Sequence, residues 1–138
     1  MKTLSFTALL LLMLIAAPSW GQTFKEGNLI GIHMVNFDLN PDVTFNQFKK
    51  HFQEKVIPAM ENNLEMHVYL LKSVRGENAN SFGLAFIYDS DDVRNKYWNE
   101  DGTPSDLWNS QMEKIRGIME ESSAMGTWSS SYNDWIVQ

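Results

Sequence analysis

The segment from Leu29 to Leu39 is apolar on both of its alternating faces, which strongly limits how this chain can fold. One parity carries Leu29, His33, Val35 and Phe37, and the other carries Ile30, Ile32 and Met34. Successive side chains of a strand point to opposite faces of its sheet. The segment is therefore predicted to be a strand that is covered on both faces.

A helix with a clearly marked start follows this strand. Thr44 and Gln47 have the spacing of a capping box. An apolar stripe at helical spacing continues from there through Phe45, Phe48, Phe52, Val56 and Met60. Pro58 lacks the amide hydrogen that a helix interior uses, so a kink or an early end is predicted near it. The helix is predicted to end at the Asn62-Asn63 pair.

Three more strands and two helical regions complete the predicted order. Strands are predicted at 66–74, 81–88 and 127–137, a short helix at 90–99, and a longer helix at 105–125 with Gly126 as its cap. The polar link at 75–80 predicts an antiparallel hairpin. Gly83 and Ala85 make one face of the third strand small, which favours close approach of a helix on that face.

The order strand, helix, strand, strand, helix, strand is that of a ferredoxin-like α+β domain. It predicts one four-stranded antiparallel sheet in spatial order 4-1-3-2 with both helices on one face. The other face would expose a larger apolar patch than a soluble monomer normally tolerates. The chain, over about 28–137, therefore resembles the dimeric α+β barrel superfamily, in which two ferredoxin-like protomers pack sheet to sheet. Its most family-like stretch is the aromatic helix at 45–60 with the strands that follow.

The resemblance implies a homodimer with a cavity between sheet and helices or inside the barrel. Members include small monooxygenases, haem-handling proteins, dehydratases and proteins of no known activity. The haem-degrading branch uses an asparagine on the first strand, a tryptophan after the third and a histidine on the last helix. Asn36 and Trp98 stand at similar places, but residues 105–125 contain no histidine. A haem cofactor is therefore not expected.

The first 21 residues have the pattern of a secretory signal peptide. Lys2 precedes an almost wholly apolar run at 4–17, and Ser19 and Gly21 fit the −3 and −1 positions of a cleavage site. The run is shorter than the roughly 20 apolar residues of a membrane-spanning helix. The prediction is a mature domain at 22–138 that is periplasmic or secreted, with no membrane attachment after cleavage.

Composition excludes several classes of protein. The chain has no cysteine, which excludes a disulfide scaffold, a thiol nucleophile and a cysteine-ligated metal site. Its 17 acidic against 11 basic residues argue against nucleic acid as a partner, because phosphate binding needs clustered Lys and Arg.

Three histidines and one acidic cluster are the residues of this sequence that could bind a metal. His33 and His67 each neighbour a methionine, and that pair of residue types suits copper. Adjacent strand residues point to opposite faces, and the third strand is predicted to separate the two histidines, so copper is not expected. His51 is predicted to be solvated on the first helix. Acidic residues at 89–92 fit a helix start better than a calcium loop. The prediction is that no metal binds.

The candidate site residues are therefore few. His33 is the candidate pocket base or hydrogen-bond donor, and Tyr69 and Tyr88 are weaker catalytic candidates. The predicted ligand-binding residues are His33, Asn36, Tyr88, Trp98 and Trp108. All four tryptophans of the mature chain follow residue 97, and two of them, Trp98 and Trp108, flank the loop that interrupts the second helical region.

The sequence contains no recognisable catalytic motif, and three kinds of function fit it. The first is an exported dimeric barrel that binds a small apolar or aromatic molecule. The second is a cofactor-independent small-molecule oxygenase or isomerase that uses His33, Tyr69 or Tyr88. The third is a protein-interaction module whose sheet pairs with another protein.

Overall fold

The computed structural model describes residues 24–76 and 81–138. The predicted signal peptide at 1–21 lies outside the described residues, as does the end of the link between the second and third strands, at 77–80. Within the described ranges, no helix is both long and apolar enough to cross a bilayer.

The described residues form a four-stranded antiparallel sheet with helices against one face. In chain order the elements are β1 Leu29–Leu39, α1 Phe45–His51, a π-helical turn Phe52–Val56, α2 Ile57–Asn63, β2 His67–Lys72, β3 Phe82–Tyr88, α3 Asp91–Asn95, α4 Asp106–Lys114, α5 Arg116–Ser123 and β4 Gly126–Ile136. The sheet order is β2-β3-β1-β4, which is the predicted 4-1-3-2 order in reverse. The ferredoxin-like α+β fold is confirmed.

The strand register assigns each side chain to one of two faces. β1 pairs His33 with Leu84 of β3 and with Tyr132 of β4, so these three share a face. The inner face packs against the helices and carries Leu29, Gly31, His33, Val35 and Phe37 of β1 and Phe82, Leu84, Phe86 and Tyr88 of β3. The outer face carries Ile30, Ile32 and Met34 of β1, Gly83, Ala85 and Ile87 of β3, Tyr69 and Leu71 of β2, and Trp135 of β4.

The prediction that a helix packs on the small face of β3 was wrong. Gly83 and Ala85 lie on the outer face, and the helices pack on the face that carries the bulky aromatic residues. Large side chains make the larger apolar contact, and their burial outweighs closer approach of the backbones. The small residues therefore lie on the face that the helices do not cover.

The first helix starts as predicted and changes geometry before Pro58. The backbone N–H of Gln47 donates to Thr44 Oγ1 at 3.3 Å, and the backbone N–H of Thr44 donates to Gln47 Oε1 at 2.8 Å. These two bonds complete the capping box. The π-helical turn Phe52–Val56 directly precedes Pro58, whose ring would clash with the Glu54 carbonyl in a regular α-helix. The helix then resumes and ends at Asn63, as predicted.

The long helix predicted over 105–125 is two helices. Its backbone leaves the helical region at Ile115, with φ −109° and ψ 13°, and the Ile115 side chain is buried in the core. The apolar spacing runs across the break, so spacing alone did not reveal it. Gly126 is not a cap but the first residue of β4, where a Cβ atom would lie 2.5 Å from the Asp38 carbonyl oxygen. Close approach of two strands explains this glycine.

Three further expectations differ from the structure. The strand predicted at 66–74 spans His67–Lys72, and the helix predicted at 90–99 spans Asp91–Asn95. His51 is not solvated, because its ring Nε2 lies 2.8 Å from Ser122 Oγ and its side chain is only 10% exposed. Ser122 is itself fully buried on α5, so this contact links α1 to α5. Sequence spacing does not show which helix faces another across the core.

Candidate functional site

A cavity of about 220 Å³ lies between the inner face and the helices. β1 contributes His33, Val35 and Phe37 to its floor, and β3 contributes Leu84 and Phe86. The other walls are formed by Phe52, Val56, Met60, Met112 and Met119 from the helices, by Trp98 and Trp108, and by Trp128 and Ser130 of β4. The described lining is apolar or aromatic except at His33 and Ser130. Such a cavity favours an apolar occupant and offers it few polar contacts.

Trp98 and Trp108 form a paired aromatic wall. Their ring centroids lie 4.6 Å apart with an interplanar angle of 41°. The Trp98 indole donates from Nε1 to the Tyr88 hydroxyl oxygen at 3.2 Å, which orients its ring. Ser105 begins the helix that carries Trp108, and its Oγ accepts the Trp108 amide hydrogen at 3.2 Å. Two hydrogen bonds outside the cavity thus position the two rings that line it.

β4 forms the open side of the cavity. Its inner-face residues Trp128, Tyr132 and Ile136 are 38%, 47% and 51% exposed. The helices cover the inner faces of β1 and β3 but leave these three side chains partly in solvent. A ligand would enter past β4, where Ser130 lies between Trp128 and Tyr132 on the inner face.

His33 is the ionisable group of the cavity floor. Its ring packs edge-on to Phe86, with centroids 4.6 Å apart, and stacks on Tyr132 at 5.1 Å. Burial lowers the pKa of His33, and the nearby carboxylate of Asp134 partly opposes that shift. No group within 24–76 or 81–138 hydrogen-bonds to its ring nitrogens. A neutral imidazole with one donor and one acceptor nitrogen is thus available to a ligand at neutral pH.

A smaller pocket of about 30 Å³ adjoins the cavity and shares His33, Phe86 and Trp98 with it. Its remaining walls are Gly31, Tyr88, Arg94, Tyr132 and Asp134. Burial raises the pKa of Tyr88 to about 12, so its hydroxyl remains protonated at neutral pH. Arg94 pairs with Asp134, whose Oδ2 lies 3.1 Å from Nη2 and 3.2 Å from Nε. This pocket adds three polar side chains, Tyr88, Arg94 and Asp134, beside the apolar cavity.

The structure brings four of the predicted site residues together and separates two. His33, Trp98 and Trp108 line the cavity, and Tyr88 lies beside them in the smaller pocket. Asn36 and Tyr69 lie on the outer face, away from both. His67 also lies on the outer face, so the sheet separates it from His33. In the described part of the chain, no three metal-binding side chains are grouped as a metal ion would require.

Sequence reasoning missed Gly31, Arg94 and Asp134. Asp134 shares a parity with Trp128, Tyr132 and Ile136, so a charged residue on an otherwise apolar parity of β4 was an available signal. Arg94 lies on a short helix and gave no comparable signal. The strand register, which places Asp134 directly opposite Gly31, was needed to bring them together.

We expect the protein to lose stability as the pH falls from about 7.5 to about 5.5, in part through His33. The pKa of His33 is lowered on folding, so the unfolded chain takes up this proton first and is favoured as the pH falls through the unfolded value. His33→Phe, which preserves the ring packing, should reduce this loss in urea unfolding at each pH. The control His67→Gln removes a half-exposed histidine instead and shows what loss of a histidine outside the cavity does. Equal pH slopes for His33→Phe and wild type would contradict the expectation.

No model of a known protein family matches the chain, and no curated protein matches it. Among solved structures, it is similar to a dimeric protein of unknown function with a ferredoxin-like fold from Bacteroides fragilis. The two share 14% sequence identity at a TM-score of 0.44, and the match covers 83% of this chain and 100% of that chain. The ferredoxin-like assignment of this chain rests on its own sheet order.

Proposed function

We propose that the protein is an exported, dimeric α+β barrel protein that binds a small, largely apolar or aromatic molecule in the cavity beside Trp98 and Trp108. The observation that carries the proposal is the apolar cavity of about 220 Å³ with its paired indole wall. An apolar cavity of about 150 Å³ suffices to hold benzene, and pockets for drug-sized ligands run from about 300 Å³ upward. The cavity therefore suits a ligand of one or two rings.

The outer face supports the proposed dimer. Ile30, Ile32, Met34, Ala85, Ile87 and Leu71 make it apolar, and Trp135 of β4 is 61% exposed beside them. Sheets that pack face to face lie about 10 Å apart and bury such side chains between them. Gly83 and Ala85 would let a second sheet approach closely. Export is supported by the sequence pattern of residues 1–21.

The ligand proposal is tested by filling the cavity from its open side. Ser130→Phe should weaken ligand binding at least about tenfold, because a ring added between Trp128 and Tyr132 would occupy the space of the ligand. Ser130 is exposed, so the fold should tolerate the change. A panel of lipophilic and aromatic metabolites is titrated while tryptophan fluorescence is followed, and native mass spectrometry gives the stoichiometry. Ser130→Thr keeps the site small and is the matched control.

Two outcomes would contradict the ligand proposal. If no compound in the panel changes the fluorescence of the wild-type protein, the cavity has no ligand of this class. If compounds bind equally to wild type and to Ser130→Phe, they bind elsewhere on the surface. In either case the cavity would be a packing defect of the core.

One observation favours a second function, a cofactor-independent oxygenase or isomerase. The imidazole of His33 is neutral, lines the cavity and accepts no hydrogen bond from the described chain, as a general base would require. Tyr88 adds a protonated hydroxyl beside it. The test is incubation of each bound compound with wild type and with His33→Phe, followed by mass spectrometry and chromatography. A new product that only wild type forms would support catalysis. If the ligand is recovered unchanged from wild type, the enzyme function is rejected and only the binding function stays.

A further inference from the structure

We infer that the smaller pocket selects a ligand that carries a hydrogen-bond donor on its ring, as a phenol does, and discriminates against aromatic carboxylates. The inference rests on the proposed function, because it names the chemical class of ligand for the same site. The ring of the ligand would occupy the apolar cavity, and its donor group would enter the pocket lined by Gly31, His33, Tyr88 and Asp134.

Gly31 keeps this pocket open. It lies two residues before His33 on the inner face and directly opposite Asp134 in the register of β1 and β4. A Cβ atom at Gly31 would lie 3.0 Å from Asp134 Oδ1 and 3.6 Å from His33 Nε2. The missing side chain thus leaves a space that borders both polar atoms. A volume of about 30 Å³ accepts one hydroxyl-sized group, since about 10–15 Å³ is enough for a water molecule.

Two groups that border this space offer hydrogen-bond acceptors that no donor of the described residues uses. Both bonds from Arg94 go to Asp134 Oδ2, and no donor from the described ranges reaches Oδ1. Burial lowers the pKa of His33, so its imidazole is neutral and one ring nitrogen can accept. A ligand O–H or N–H would satisfy these acceptors, and hydrogen bonds to a charged group are among the stronger ones in proteins.

The charges of the pocket disfavour a carboxylate. The positive charge of Arg94 is already paired with Asp134, and these two side chains are only 13% and 29% exposed. A ligand carboxylate would lose its hydration and face the Asp134 carboxylate without a free cation. The Tyr88 hydroxyl can donate one hydrogen bond, but a single neutral donor does not replace the water shell of an anion.

Four matched probes test the selectivity by isothermal titration calorimetry: toluene, p-fluorotoluene, p-cresol and p-toluate. p-Fluorotoluene has nearly the size of p-cresol but no donor, and p-toluate replaces the hydroxyl with a carboxylate. We expect p-cresol to bind about tenfold more tightly than p-fluorotoluene and at least about tenfold more tightly than p-toluate. Equal binding of p-cresol and p-fluorotoluene to the wild-type protein would overturn the inference.

Two variants locate the effect at the pocket. Gly31→Ala should abolish the preference for p-cresol over p-fluorotoluene, because the added methyl group would occupy the space beside Asp134 Oδ1 and His33 Nε2. Asp134→Asn should reduce the preference and improve p-toluate binding, since it frees Arg94. Gly117→Ala is the matched control, because a Cβ atom there meets no atom within 4 Å. A preference that survives both pocket variants would overturn the inference.

The experiment separates this inference from the proposed function. If all four probes bind with similar affinity and Ser130→Phe weakens them together, the cavity binds aromatic molecules without selecting a donor. That result overturns the inference and preserves the proposed function. If none of the probes binds, the cavity proposal itself fails, and the selectivity inference fails with it.

Discussion

Met34→Lys should weaken self-association of the protein at least about a hundredfold. Met34 lies on the outer face, next to Gly83 of β3 and among the apolar side chains that a second sheet would cover. Burying an unpaired ammonium group between two sheets costs several kcal/mol, far more than loss of the methionine contacts alone. The dissociation constant is measured by sedimentation equilibrium. The control Gln53→Lys makes the same charge change at an exposed helical position and should leave association unchanged.

Two results would contradict the proposed dimer. A wild-type chain that is monomeric at all concentrations would show that no second copy covers the outer face. The protein-interaction function would then gain support, since an exposed apolar sheet is a site for a different partner. A wild-type dimer that Met34→Lys does not weaken would place the interface elsewhere on the molecule.

Phe48→Ala should lower the free energy of unfolding by about 3–5 kcal/mol, the range for deletion of a buried aromatic side chain. Phe48 is 0% exposed. The centroid of its ring lies 4.6 Å from that of Phe37, 5.8 Å from that of Phe52 and 6.1 Å from that of Trp128. These contacts join α1, the π-helical turn, β1 and β4. The missing ring would therefore leave a void that no single element can fill by moving.

The measurement is urea unfolding at a fixed protein concentration, because dimerisation would make apparent stability depend on concentration. The control is Phe24→Ala, which removes an aromatic ring that is 55% exposed and should cost less than about 1 kcal/mol. A similar, small loss for both variants would mean that the core around Phe48 collapses on the cavity and repacks. That result would also show that the cavity is deformable.

Local signals in the sequence were enough to predict the order of strands and helical regions and the first residue of one helix. Thr44 and Gln47 act within four residues of each other, so their capping box could be predicted and is confirmed. The break at Ile115 could not be predicted, because the apolar spacing of the helix continues through it.

The candidate site was partly predictable for the same reason. His33, Trp98 and Trp108 stood out as residue types, and their positions on a strand, before a loop and on a helix permitted a cavity. The smaller pocket was not predictable, because Gly31, Arg94 and Asp134 come from three separate elements. Their proximity depends on the pairing of β1 with β4 and on the placement of a short helix. His51 shows the same limit, since its partner Ser122 lies 71 residues away.

The sequence by itself determined the order of the elements, the antiparallel sheet and the presence of apolar residues on both sheet faces. These follow from periodicity and capping, which act between near neighbours in the chain. Only the tertiary structure decided which face of β3 the helices cover, and which polar groups meet beside the cavity. Both depend on how large side chains fit together across elements, and that packing is settled only when all elements are in place.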